Sequence, residues 1–181
     1  MDRTRPPAAT GTAFNGASVS INTSALVAGV HTIYVRVQDA ATNWSAVSSA
    51  TLTVIRAVND AYSTLLNTSN NSSNPANNRT QSFTINSGNG VLVNDQPTGV
   101  SGRTATPANP VVTKTSGSAN GSMTVALNTN GSFTYTLSVP ASTGVTGNAN
   151  IRAAKRGTYQ FTYTEVLGGA TSTATVTITV N

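Results

Sequence analysis

From Thr158 to Val180 the chain alternates with a period of two. Tyr159, Phe161 and Tyr163 share one side, and Gln160, Thr162 and Thr164 share the other. Beyond Gly168 and Gly169, the residues Ala174, Val176, Ile178 and Val180 alternate with Thr173, Thr175, Thr177 and Thr179. That periodicity belongs to strands with one buried face and one wet face. The paired glycines predict a turn between two arms. A lone hairpin is marginally stable in water, so its apolar face needs a second sheet to cover it. The chain is therefore expected to be all-β and built as a sandwich.

Composition narrows the class. Of 181 residues, only 8% are charged, against about 25% in a typical globular domain. Thr, Ser, Asn, Gly and Ala fill the difference, which suits an extracellular β-rich repeat better than a cytosolic enzyme. Ten basic residues face five acidic ones, for a net charge of +5. They are scattered rather than gathered in a stripe with interleaved aromatics, so nucleic acid is not an expected partner. Absence of Cys excludes disulfides, thiolate metal sites and cysteine catalysis. No apolar run approaches the ~20 residues of a membrane span. Residues 1–11 have no apolar core of a signal peptide, so the signal of a secreted form is expected to lie elsewhere in a longer precursor or to have been removed.

Residues 1–13 read as an extended arm, with Pro6 and Pro7 disfavouring helix. Three strands are predicted next: Ala17 to Asn22, Val30 to Gln38 (Ile33, Val35 and Val37 inward) and Ser49 to Ile55. Three are too few for a sandwich of about seven, so residues 1–56 are expected to form a partial unit with an uncovered apolar face. Further strands are predicted at Tyr62 to Leu66, Gln81 to Asn86, Gly90 to Asn94, Pro110 to Thr115, Ser122 to Leu127 and Ser132 to Leu137. With the two hairpin arms they make residues 57–181 a complete sandwich. Asn130-Gly131 between two alternating runs is the strongest local hairpin signal. Asn67 to Arg79 reads as an Asn/Ser-rich loop, and Ser138 to Arg156 as a long bridge.

The stretch GVHTIYVRVQDAATNWS (29–45), followed by ATLTV (50–54), resembles the closing half of bacterial immunoglobulin-like or fibronectin-III-like repeats. Thr42 stands where those repeats carry Gly. AVND (57–60), GVLVND (90–95), NGSFTY (130–135), FTYT (161–164) and ATVTITV (174–180) resemble, in order and spacing, the tandem Ig-like, cadherin-like repeats of bacterial surface proteins. The resemblance implies an immunoglobulin-like β-sandwich fold, one partial unit plus one complete unit.

Few residues suggest chemistry. His31 is the only histidine and opens a regular strand, while Glu165 is the only Glu; neither a Ser-His-Asp triad nor a carboxylate pair is expected. No catalytic residues and no enzyme activity are expected. Asn59, Asp60, Asn94 and Asp95 offer oxygen ligands in turns, and cadherin-like repeats often bind calcium between domains, so the resemblance makes these four the candidate calcium ligands. Calcium takes 6–8 oxygens and acids are sparse; that the Asn-Asp pairs form Asx turns stays open beside it. Arg152, Lys155 and Arg156 form the one basic cluster, a candidate partner-binding site for a protein or an acidic polysaccharide, set against a solvated loop. Trp44 is a candidate sugar platform set against packing at the sandwich end. An intramolecular Lys–Asn isopeptide, known in some surface adhesins, would call on Lys114 or Lys155 with Glu165.

The function expected from all this is a structural or interaction module of an extracellular, cell-surface bacterial protein: spacer, adhesin stalk or filament subunit, assembling with neighbouring repeats or identical subunits, by strand complementation in the filament case. The alternative is a carbohydrate-binding accessory module of a secreted enzyme.

Overall fold

A computed structural model describes residues 20–66 and 79–181. The extended arm 1–13, most of the Ala17–Asn22 strand and nearly all of the Asn67–Arg79 loop lie outside them. The described end of that first strand, Ser20 to Asn22, is not strand.

The chain is all-β, with two sheets packed as a sandwich. The first has the order β3 (Asp60–Thr64), β10 (Ala170–Val180), β9 (Gly157–Leu167), β5 (Thr104–Thr106), and β6 (Thr113–Lys114) also pairs with β9. The second has β4 (Thr80–Ile85), β8 (Phe133–Ser138) and β7 (Ser122–Leu127). β9 and β10 are antiparallel through eleven residue pairs, Gly157↔Val180 to Leu167↔Ala170, around the Gly168-Gly169 turn. β3 runs parallel to β10, with Asp60 opposite Val176 and Thr64 opposite Val180.

Alternation does what the sequence predicts. Tyr159, Phe161, Tyr163, Ala174, Val176, Ile178 and Val180 are buried, and they meet Met123, Val125, Leu127, Phe133, Tyr135 and Leu137 from the facing sheet in one core. Phe133 sits at its centre, edge-on to Tyr62 at 5.2 Å and to Phe161 at 5.7 Å between ring centroids. Such contacts add about 0.5–1.5 kcal/mol each beyond burial.

Three expectations need correction. Gly90 to Asn94 is not a strand but a turn following the 3-10 segment Ser87–Asn89. Val93 N–H donates back to Gly90 O, and Val91 N–H donates to Gly131 O across the sandwich. This pins Val91 in the core and leaves Val93 exposed. The Ser138–Arg156 bridge holds a helix, α1 (Asn148–Lys155), whose Ile151 and Ala154 pack with Val139 in a small second core. Finally, the 110–115 strand shrinks to β6, and β5 was not foreseen.

Ahead of the sandwich, β1 (Gly29–Val35) and β2 (Ser48–Val54) pair antiparallel, and among the described strands each pairs only with the other. Ile33 is half-buried, but Val35 and Val37, expected to face inward, are exposed. No described layer covers them. Arg56 joins this hairpin region to the sandwich. Its guanidinium donates to the carbonyls of Ser24 and Leu26, and its backbone forms an antiparallel bridge with Gln96.

Candidate functional site

The polar heart of the molecule lies where the segment entering β3 meets the turn after Gly90. Asn86 Oδ1 accepts from Asn89 N–H and starts the 3-10 segment. Gly90 then passes so close to the Gly131 carbonyl that a Cβ there would overlap it. The chain consequently drops Asn94 and Asp95 beneath residues 56–60. Arg56 and Gln96 exchange both backbone hydrogen bonds at 2.9 Å.

Asp95 is fully buried. Val58 N–H donates to its Oδ1 at 2.7 Å. Tyr163, brought up from β9, places its hydroxyl 2.8 Å from Oδ1 and 3.0 Å from Oδ2. The same hydroxyl is 2.7 Å from Val91 O. Glu165, two residues further along β9 and on the same face, is also fully buried. Arg103 Nη1 pairs with its Oε1 at 3.0 Å without hydrogen-bond alignment. Arg103 also donates to Pro97 O. Asn94 Nδ2 donates to Asn59 O at 3.3 Å, and Asn59 Oδ1 accepts from Thr175 N–H at 2.9 Å.

The three carboxyls crowd each other. Burial, then the nearby Asp95 charge, pushes Asp60 up to about 7, against opposing hydrogen bonds from Tyr163 and Asn94. Burial and Asp95 likewise push Glu165 up to about 7, with Arg103 opposing. Asp95 itself is raised by burial, with the Val58 N–H, Tyr163 and Arg103 pulling the other way. The Tyr163 hydroxyl is pushed far up, by burial first and then by Asp95. One guanidinium among two buried carboxyls and the half-buried Asp60 favours retention of protons by the acids.

The structure thus brings together Asn59, Asp60, Asn94 and Asp95, the four candidate calcium ligands. Their oxygens are largely committed. Both Asp95 oxygens face the Tyr163 hydroxyl, and Asn59 Oδ1 holds the Thr175 amide. Asp60 Oδ2 and Asn94 Oδ1 are buried without a hydrogen-bond partner. Of the six side-chain oxygens on these four residues, three already face the chain's own donors, so as folded they do not by themselves supply the 6–8 oxygens that calcium takes. Among the described residues, no three or more His, Cys, Asp and Glu gather in metal-binding geometry.

The basic cluster does not form one face. Arg152 and Lys155 are on α1 and Arg156 follows it; Lys155 is buried, Arg152 half-buried and only Arg156 exposed. The reason is helical: a helix carries Ile151, Ala154 and Lys155 onto its packed side, where a loop would have left the lysine in solvent. Lys114 reaches in to donate to Ala154 O at 2.9 Å and Ser118 O at 2.6 Å, and lies over the Tyr159 ring. The Glu165 carboxyl, which an isopeptide would call on, is ion-paired with Arg103.

His31 Nε2–H donates to Val27 O at 2.9 Å, a local contact within the hairpin region. Trp44 is half exposed, but the Arg36 guanidinium lies 4.2 Å from its ring centroid. Thr42 has φ 66°, in the left-handed region that favours glycine. Sequence reasoning missed Arg103, Tyr163 and Glu165 as members of the polar cluster. The only signal was the lone Glu in phase with the buried aromatics of β9.

No family model matches the chain, and no curated protein matches it.

Proposed function

We propose that this chain is a structural and interaction module of an extracellular bacterial repeat protein: an Ig-like sandwich, residues 57–181, preceded by part of a second Ig-like unit, residues 1–56. It serves as a spacer, adhesin stalk or filament subunit whose partners are neighbouring repeats or identical subunits. The observation that carries this reading is the β1–β2 pair. Among the described residues, β1 and β2 pair only with each other, beside the sandwich, and Val30, Tyr34, Val35, Val37 and Val47 are exposed. Open edges next to uncovered apolar residues are the surface on which a further strand adds.

The polar cluster supports a mechanical rather than a chemical role, because its hydrogen bonds hold backbone to backbone across the sandwich mouth. A sugar platform at Trp44 is disfavoured, since Arg36 occupies a face of the ring on which a sugar would stack.

Sedimentation velocity and negative-stain electron microscopy across a concentration series test the proposal. Defined oligomers or fibres are expected, and Val30→Lys with Tyr34→Lys should disperse them. A monomer at every concentration, with the β1–β2 pair folded, would count against assembly through this surface.

A further inference from the structure

We infer that Asn59, Asn94 and Asp95 clasp residues 56–60 to the 94–96 turn through the chain's own hydrogen bonds and without calcium, with Asp60 Oδ2 and Asn94 Oδ1 left buried beside them. Asp95 receives the Val58 amide and faces the Tyr163 hydroxyl through both oxygens. Asn59 receives the Thr175 amide from β10, and the Asn94 side-chain amide donates to Asn59 O. The positive charge beside the carboxyls is Arg103, paired with Glu165.

A calcium ion binding these side chains would have to take Asp95 and Asn59 oxygens away from Val58 N–H, Tyr163 O–H and Thr175 N–H. Each donor left buried without an acceptor opposes the exchange. The internal solution already performs the task of a bridging ion. It fixes the segment whose Arg56 backbone pairs with Gln96 and whose Arg56 side chain holds the carbonyls of Ser24 and Leu26. The clasp therefore ties the hairpin region to the sandwich by a route that chelators leave intact.

Amide hydrogen exchange and thermal unfolding of the full chain test this, in EDTA and in calcium chloride up to roughly 10 mM, above the range in which extracellular modules bind it. Tm and the protection of the Arg56, Val58 and Gln96 amides should be the same in both. In Tyr163→Phe those three amides should lose protection roughly tenfold, the scale of one hydrogen bond, while amides of β7 and β8 keep theirs. A saturable calcium-dependent rise in Tm, or in protection of the three amides, overturns the inference. So does a folded Tyr163→Phe protein with the three amides unchanged. Should that variant fail to fold, the calcium series on the unaltered chain decides alone.

Discussion

The hydroxyl of Tyr163 stands 2.8 and 3.0 Å from the two carboxyl oxygens of Asp95, and 2.7 Å from the carbonyl of Val91. With the carbonyl of Val58 at 3.4 Å, one hydroxyl proton faces four acceptor oxygens. With Asp95 ionised, that proton must be shared. With Asp95 protonated, the carboxyl donates to Tyr163 and Tyr163 donates to Val91, so every group is satisfied. Burial, not this contact, is what pushes the Asp95 carboxyl up; the Tyr163 hydroxyl opposes it.

Stability should consequently fall as pH rises. Asp60 and Glu165 are each raised to about 7, from ordinary values of 3.8 and 4.5, by burial first and the Asp95 charge second. A folded-state value above the unfolded one means that the folded chain binds more protons between the two. The stabilisation is thus complete below about pH 4 and is lost as pH climbs through about 7. Tm followed by circular dichroism should be higher at pH 5 than at pH 8, and Asp60→Asn should flatten the slope. A Tm that climbs between those two values would contradict this assignment.

Core and hairpin substitutions should differ sharply. Leu137 is fully buried between the sheets, whereas Val30 is 71% exposed. Leu137→Ala is expected to cost about 2–5 kcal/mol through lost contacts and a cavity. Val30→Ala should fall within about 0.5 kcal/mol of the unaltered chain. Urea denaturation monitored by tyrosine fluorescence separates the two.

Gly90 has an ordinary negative φ of −78°, so its requirement is space rather than conformation. A Cβ there would overlap the backbone carbonyl of Gly131, which also accepts the Val91 amide. Gly90→Ala is expected to destabilise by about 1–3 kcal/mol, the usual range for overpacking. The shift of the denaturation midpoint measures it.

Thr42 carries the opposite expectation. A β-branched residue at φ 66° is strained. Thr42→Gly should relieve that strain and stabilise the 39–45 turn by up to about 1 kcal/mol. Slower exchange of the Asp39 and Ser45 amides, which donate to Asn43 O and Val37 O, is the readout.

How far the sequence revealed the molecule depended on whether its signals were local. The β9–β10 hairpin was legible because period-two alternation continues on both sides of Gly168-Gly169. β7 and β8 were legible from Asn130-Gly131. Gly90 to Asn94 misled because Val91, Leu92 and Val93 have strand propensity, yet contacts with Gly131, forty residues away in the chain, fold them as a turn. Helix α1 escaped because its start has no side-chain cap and its packed side offers just Ile151 and Ala154 as apolar anchors. The Asn-Asp pairs were legible as a cluster, but the donors that fill it were not. Arg103 and Glu165 meet from segments 62 positions apart, and no periodicity announces such a pair.

The parallel pairing of β3 with β10 has a mechanical consequence. Chain enters the sandwich at Asp60 beside Val176 and leaves along Val180 beside Thr64. Leu66 N–H to Asn181 O and Asn181 N–H to Thr64 O carry the ladder past the last paired residues. Tension applied at Asp60 and at Asn181 pulls β3 and β10 in opposite directions along a shared axis. The bonds between them are then loaded together, in shear, instead of being peeled open one by one. Once the clasp at residues 56–60 has given way, the next rupture has to break the parallel ladder together rather than bond by bond.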